Sequence, residues 1–145
     1  MLPKQFQISF DFKPTKWVKG WANIVHFTTG SSCCGLGSRI PAFFPSGGKI
    51  AITFAVNRNG NYKTWTPKLA LNKWVHFSLN QRLEGKNYVY QVYMNKVLLR
   101  TIVNRSPRDY KNVKVFVADT WTSTQPGFVK NLRITNKAIV PSGKF

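Results

Sequence analysis

Between Gln5 and Phe12 apolar and polar positions alternate strictly, with Phe6, Ile8, Phe10 and Phe12 set against Gln5, Gln7, Ser9 and Asp11. A period of two puts one set on each face of a half-buried strand. Val25 and Phe27 carry the same pattern, and Ile50, Ile52, Phe54 and Val56 form another row. That row runs into Asn57-Arg58-Asn59-Gly60-Asn61. Its Asn59-Gly60 pair predicts a hairpin turn, because both central positions of such a turn need positive φ. Further strands are expected over Trp74–Leu79 and Tyr88–Met94, with a turn at Glu84-Gly85-Lys86-Asn87 between them. Asn95-Lys96 turns the next hairpin into Val97–Val103. Val113, Val115 and Val117 make one more strand, and Phe128–Ile134 another. No stretch has a helical 3.6-residue period, and no tandem repeat or linker appears. Many short strands spaced about 8–12 residues apart predict an all-β, antiparallel two-sheet sandwich or barrel. Residues 1–145 read as a single domain whose first strand pairs near its last. Pro41, Pro67, Pro107 and Pro126 fall at strand edges or in loops, where proline is tolerated.

Composition changes the picture through charge. The chain has 145 residues, 43% of them hydrophobic and 14% aromatic, which suits a globular domain with a core. It carries 22 Lys+Arg against 4 Asp+Glu, a net charge of +18. That exceeds what solubility asks of a small domain and implies attraction to polyanions. No apolar stretch is long enough for a membrane span. MLPKQFQISF alternates and lacks the apolar run of a signal peptide, so a secreted protein would be represented here by its mature form. The sequon Asn104-Arg105-Ser106 is followed by Pro107 and adds little.

Several segments resemble the opening and later strands of animal concanavalin A-like (laminin G-like) jelly-roll domains, a pattern associated with secreted proteins of cnidarians and other early-branching animals. The opening is Trp21-Ala22-Asn23-Ile24-Val25-His26-Phe27-Thr28-Thr29, followed by Ser38-Arg39-Ile40-Pro41-Ala42-Phe43-Phe44. Leu71-Asn72-Lys73-Trp74, Met94-Asn95-Lys96, Ala118-Asp119-Thr120-Trp121 and Pro126-Gly127-Phe128 fit as well, so the likeness runs from about Phe6 to Ile134. The resemblance implies a jelly-roll fold that serves lectins, adhesion modules, glycosaminoglycan binders and some glycanases. Fold alone does not choose among these. Glycanases of the retaining kind need two carboxyls about 5 Å apart, and legume-type lectins hold calcium with several acids. This chain offers only Asp11, Glu84, Asp109 and Asp119, so no enzyme, cofactor or resident metal is expected. A weak calcium site at Asp119 is the one exception considered. His26 with Asn23 only superficially resembles a galectin sugar site.

Cys33 and Cys34 are the chain's two cysteines and are adjacent. They can be free thiols, bridges to another chain, or a vicinal disulfide. The resemblance to secreted domains favours oxidation, and the spacing excludes a CxxC redox or zinc reading. His26 and His76 lie in strand-like runs and read as structural. Tyr62, Trp65, Tyr110 and Trp121 lie near loops among Lys, Asn and Gly, where aromatic rings stack on sugars; with Arg39 they are the candidate ligand-binding residues. Arg58, Lys63 and Lys68 around the Asn59-Gly60 turn, and Arg100, Arg105, Arg108 and Lys111 before Val113, are the candidate polyanion contacts. Lys13, Lys16 and Lys19 gather around Trp17, and Lys130, Arg133 and Lys137 follow the last strand. No motif for sequence-specific nucleic-acid reading is present.

The expected function is a non-enzymatic, secreted, lectin-like binding module for anionic polysaccharide or another polyanionic matrix. Two other readings stand beside it. One is a self-assembling matrix or biomineral protein, silica-binding for example, with exposed edges or cysteine bridges joining copies. The other is a lectin for neutral sugar.

Overall fold

The computed structural model describes residues 1–118, 121 and 123–136. Among them there is no helix. Strands β1 (Phe6–Pro14), β7 (Val75–Glu84), β8 (Asn87–Met94), β9 (Val97–Asn104) and β12 (Gly127–Thr135) form one five-stranded sheet, ordered β12-β1-β7-β8-β9. Strands β3 (Val25–Thr28), β4 (Ala42–Ser46), β5 (Lys49–Val56), β6 (Asn59–Trp65) and β10 (Lys114–Val117) form the second, ordered β10-β3-β4-β5-β6. Both are antiparallel. A short parallel pair, β2 (Ala22–Asn23) with β11 (Ser123–Thr124), lies beside them. The first strand pairs with the last, Ile8 opposite Ile134 and Phe12 opposite Val129.

The alternation read from the sequence sets which face is buried. Phe6, Ile8, Phe10 and Phe12 of β1 meet Ile50, Ile52 and Phe54 of β5 across one apolar core. Phe10 packs edge-on to Phe43 at 4.7 Å, and Phe54 stacks on Tyr90 at 4.9 Å. Burying each such side chain contributes about 2–3 kcal/mol, so a one-residue slip of β1 would expose the whole row. The hydroxyl of Tyr90 is buried with no hydrogen-bond partner among the described residues, and burial pushes its pKa far up.

One turn departs from expectation. The chain reverses at Asn57-Arg58, whose φ values are 50° and 67°, and Asn59-Gly60 lies inside β6. The physical reason is a cross-link at that end of the sandwich. The Asn57 amide takes the Arg105 N–H at 2.6 Å and donates to the Val103 carbonyl, while the Asn57 N–H donates to the Asn104 side chain. These bonds stabilise the left-handed conformation at Asn57, which asparagine tolerates better than most residues. Gly60 serves another purpose: a Cβ there would stand 2.5 Å from the Gly35 carbonyl oxygen and 2.6 Å from that of Cys34. The turns at Gly85 and at Asn95-Lys96 fall where the sequence puts them.

Candidate functional site

The outward face of the second sheet carries a continuous row of residues fixed by strand register. Phe116 lies opposite His26, His26 opposite Ala42, Ala42 opposite Thr53, and Thr53 opposite Lys63. One step along, Phe44 lies opposite Ala51 and Ala51 opposite Trp65. The centre of this face is made of small side chains, Ala42, Ala51 and Thr53, and its margins of large ones. Thr53 ties its hydroxyl to the Ala42 carbonyl at 2.9 Å, so the floor presents little polar demand.

Above that floor is a cavity of about 310 Å³ lined by Trp21, Arg39, Phe44 and Lys63. Trp21 and Trp65, both about half-exposed, lie 5.7 Å apart. The Arg39 guanidinium sits 4.6 Å over the Phe44 ring, a cation–π contact. Its Nε donates to the Ser32 carbonyl at 2.9 Å and one Nη to Asn61 Oδ1 at 2.7 Å, which fixes its plane. Among the described residues no carboxylate lines it.

The loop from Thr29 to Ile40 makes one wall. Cys33 and Cys34 are exposed and joined to each other by a disulfide, and the carbonyls of Cys34 and Gly35 rest on Gly60. The Thr28 hydroxyl accepts the N–H groups of Gly30 and Ser31 and donates to the Ser31 carbonyl. Ser31 and Ser38 join hydroxyls at 2.7 Å. Buried His26 donates from Nε2 to the Ser38 carbonyl at 2.6 Å, since a carbonyl can only accept. Trp121 lies edge-on to both His26 and Phe116, at 5.4 and 5.6 Å.

The structure therefore brings together Arg39, Lys63, Trp65, Trp121 and the Cys33/Cys34 loop on one sheet face. It separates others. Tyr110 pairs its backbone with Leu2 and turns its ring into the core, where burial pushes its hydroxyl pKa up against the weaker opposite pull of Arg108. Tyr62 and Trp65 lie on a strand and not in a loop. Their parity sends Tyr62 toward the core and Trp65 outward. Arg58, next to Asn57, and Arg105, whose N–H donates to the Asn57 side chain, both lie at the Asn57 end of the sandwich. Lys68 lies over Gly48 and Trp17, Arg100 is exposed on β9, and Arg108 and Lys111 flank Tyr110. Asp119 and Lys137 lie outside the described residues. Among the described residues no group of three His, Cys, Asp or Glu side chains could hold a metal ion. Trp21 and Phe44 were missed as site residues in the sequence. Phe44 sits one residue out of phase with the buried Phe43, and that parity was the available signal.

No family model and no curated protein sequence matches the chain. Solved structures do. The carbohydrate-binding module CBM40 of the Ruminococcus gnavus IT-sialidase, bound to α2,3 sialyllactose, matches with a TM-score of 0.63 at 13% identity, over 94% of this chain and 78% of that one. Sheep galectin-11 matches at 0.54 and 15%, over 92% of each chain. The receptor-binding domain of botulinum neurotoxin type G matches at 0.62 and 16%. The chain covers 94% of its own length there but only 35% of the toxin domain. At such identities the likeness shows the fold, a lectin-like jelly-roll sandwich. These structures come from bacteria and a sheep and lend no support to a cnidarian origin.

Proposed function

We propose that this protein is a non-enzymatic, secreted, lectin-like module that binds acidic glycans on the outward face of its second sheet. The observation that carries the reading is the cavity where Arg39 and Lys63 share a wall with Trp21 and Phe44. Aromatic faces suit the C–H faces of a pyranose ring, with Trp65 extending the platform. A planar guanidinium already held flat matches a carboxylate, and a lysine adds a point charge. An anion entering here meets two cations and, among the described residues, no like-charged lining residue.

The fold likeness supports a sugar as ligand, because CBM40 was solved with sialyllactose and galectin-11 is a lectin by name. A carboxylated sugar suits the cavity better than a neutral one on charge alone. Binding without catalysis is the reading the acids support. Asp11 is engaged by His76 and Asn131, and Glu84 pairs with Arg82 at 2.8 Å. Secretion is supported by the Cys33–Cys34 disulfide, since such bonds persist in oxidising compartments. The assembly reading loses its covalent link where the two sulfurs engage each other.

Lys63→Ala and Trp65→Ala each leave the core untouched. Calorimetric titration with an acidic oligosaccharide should find each variant about 10-fold weaker, roughly 1.4 kcal/mol, with an unchanged melting temperature. Wild-type affinity in both variants would place the sugar elsewhere.

A further inference from the structure

We propose a second anion site, on the opposite face of the sandwich, that binds the acidic groups of a linear polysaccharide along the edge strand β12. Its centre is Trp74, about 41% exposed at the start of β7. The Lys130 ammonium lies 3.9 Å from the centre of the Trp74 ring, and that of Lys13 5.3 Å from it. Lys13 also lies 5.4 Å from the ring of Phe128, which is 57% exposed. Two aromatic rings thus gather two ammoniums that repel each other. Neither lysine forms an ion pair among the described residues.

The neighbouring carboxylate does not neutralise them by direct contact. Asp11 lies opposite Lys130 in register, yet one of its oxygens is held by His76 Nδ1 at 2.6 Å and the other by Asn131 Nδ2 at 2.8 Å. An anionic group seated between Lys13 and Lys130 would relieve the repulsion and leave those bonds intact. Trp74 acts as a positioning residue, holding the two charges in place.

The site has a direction. A groove of about 410 Å³ continues from Asp11 and Asn131 along β12 and β1, with Gln7, Ser9, Arg133 and Thr135 on its walls. Its amide and hydroxyl groups suit sugar hydroxyls. Arg133, opposite Ser9, supplies a third cation at most about 10 Å along the strand from Lys130. Three cations beside a groove of amide and hydroxyl groups favour a linear acidic polysaccharide over nucleic acid, whose bases would need a ring face that Lys130 occupies. This site lies on the other sheet from the Arg39–Lys63 cavity, so it stands or falls separately from that reading.

The test is equilibrium binding of a sulfated oligosaccharide and a polyuronate oligosaccharide of equal length. The proteins are wild type, Lys13→Ala/Lys130→Ala, Trp74→Ala, and a charge-matched control, Lys86→Ala/Lys96→Ala, on turns of the same sheet. Lys13→Gln/Lys130→Gln replaces the alanine pair if that pair lowers the melting temperature. The proposal expects the Lys13/Lys130 variants to bind about 10-fold more weakly and the control less than 2-fold. Trp74→Ala should fall between them. A larger loss with the sulfated probe than with the polyuronate assigns the clamp to sulfate, and the reverse assigns it to carboxylate. Equal losses in the lysine variants and the control would overturn the site, because the attraction would then be the diffuse field of the molecule. Tighter binding of a DNA oligonucleotide of equal charge, lost in the same variants, would overturn the polysaccharide.

Discussion

Single residues decide the most local parts of this account. Burial raises the pKa of Asp11, but the hydrogen bonds from Asn131 and His76 and the positive charge of His76 and Lys130 outweigh it, leaving the carboxyl below its ordinary value. A carboxyl depressed in the folded state contributes stability that is fully present above its unfolded pKa of about 3.9. That contribution is lost as pH falls through the lowered folded value. Asp11→Asn should therefore lower the melting temperature at neutral pH and flatten its dependence on pH in the acid range. Thermal unfolding followed at a series of pH values checks this, and parallel curves for the two proteins would contradict it. Gly60 is the other decisive residue. Gly60→Ala puts a methyl group into backbone carbonyls of the cysteine loop and not into a flexible side chain. The loop must then move, and with it Ser32, whose carbonyl holds Arg39. The variant should keep its sheets by circular dichroism and lose about 10-fold in acidic-glycan affinity. Wild-type affinity would mean that the loop does not position Arg39.

At the scale of elements, the sequence was informative wherever a strand has one face in the core. The rows in β1 and β5 alternate cleanly, and their inward sets are the buried ones. It was less informative for β4 and β6. In β4 Phe43 and Phe44 are adjacent and both apolar, because one faces the core and the other lies under Arg39. Neither face is solvated, so period two disappears. In β6 the Asn59-Gly60 pair has the composition of a turn, but its glycine answers a close approach from the carbonyls of Cys34 and Gly35, far back in the chain, which no local rule contains. Long-range hydrogen bonds from Asn57 to the β9 end moved the turn two residues earlier. Trp65 was legible as a candidate but reads as a loop aromatic, and it proves to be the outward residue of a strand. The adjacent cysteines were legible as an unusual feature, whereas their place on the rim of the cavity depended on the packing against β6.

For the whole molecule, the net charge is +18, and cations stand on both sheets, Arg39 and Lys63 beside one and Lys13 and Lys130 on the other. The field steers acidic ligands toward the protein at long range and weakens with added salt. On the proposed reading, selection among those ligands falls to local geometry: Arg39 and Lys63 with their aromatic wall on one sheet, Lys13 and Lys130 around Trp74 on the other. Two such faces would let one molecule join two acidic chains without self-association. The most direct measurement of the central claim is binding of wild-type protein to matched carboxylated, sulfated and neutral oligosaccharides at low and at physiological salt. The account predicts binding to the acidic members that weakens, but persists, as salt rises. Salt-insensitive binding to a neutral oligosaccharide, or no binding to any of the three, would contradict it.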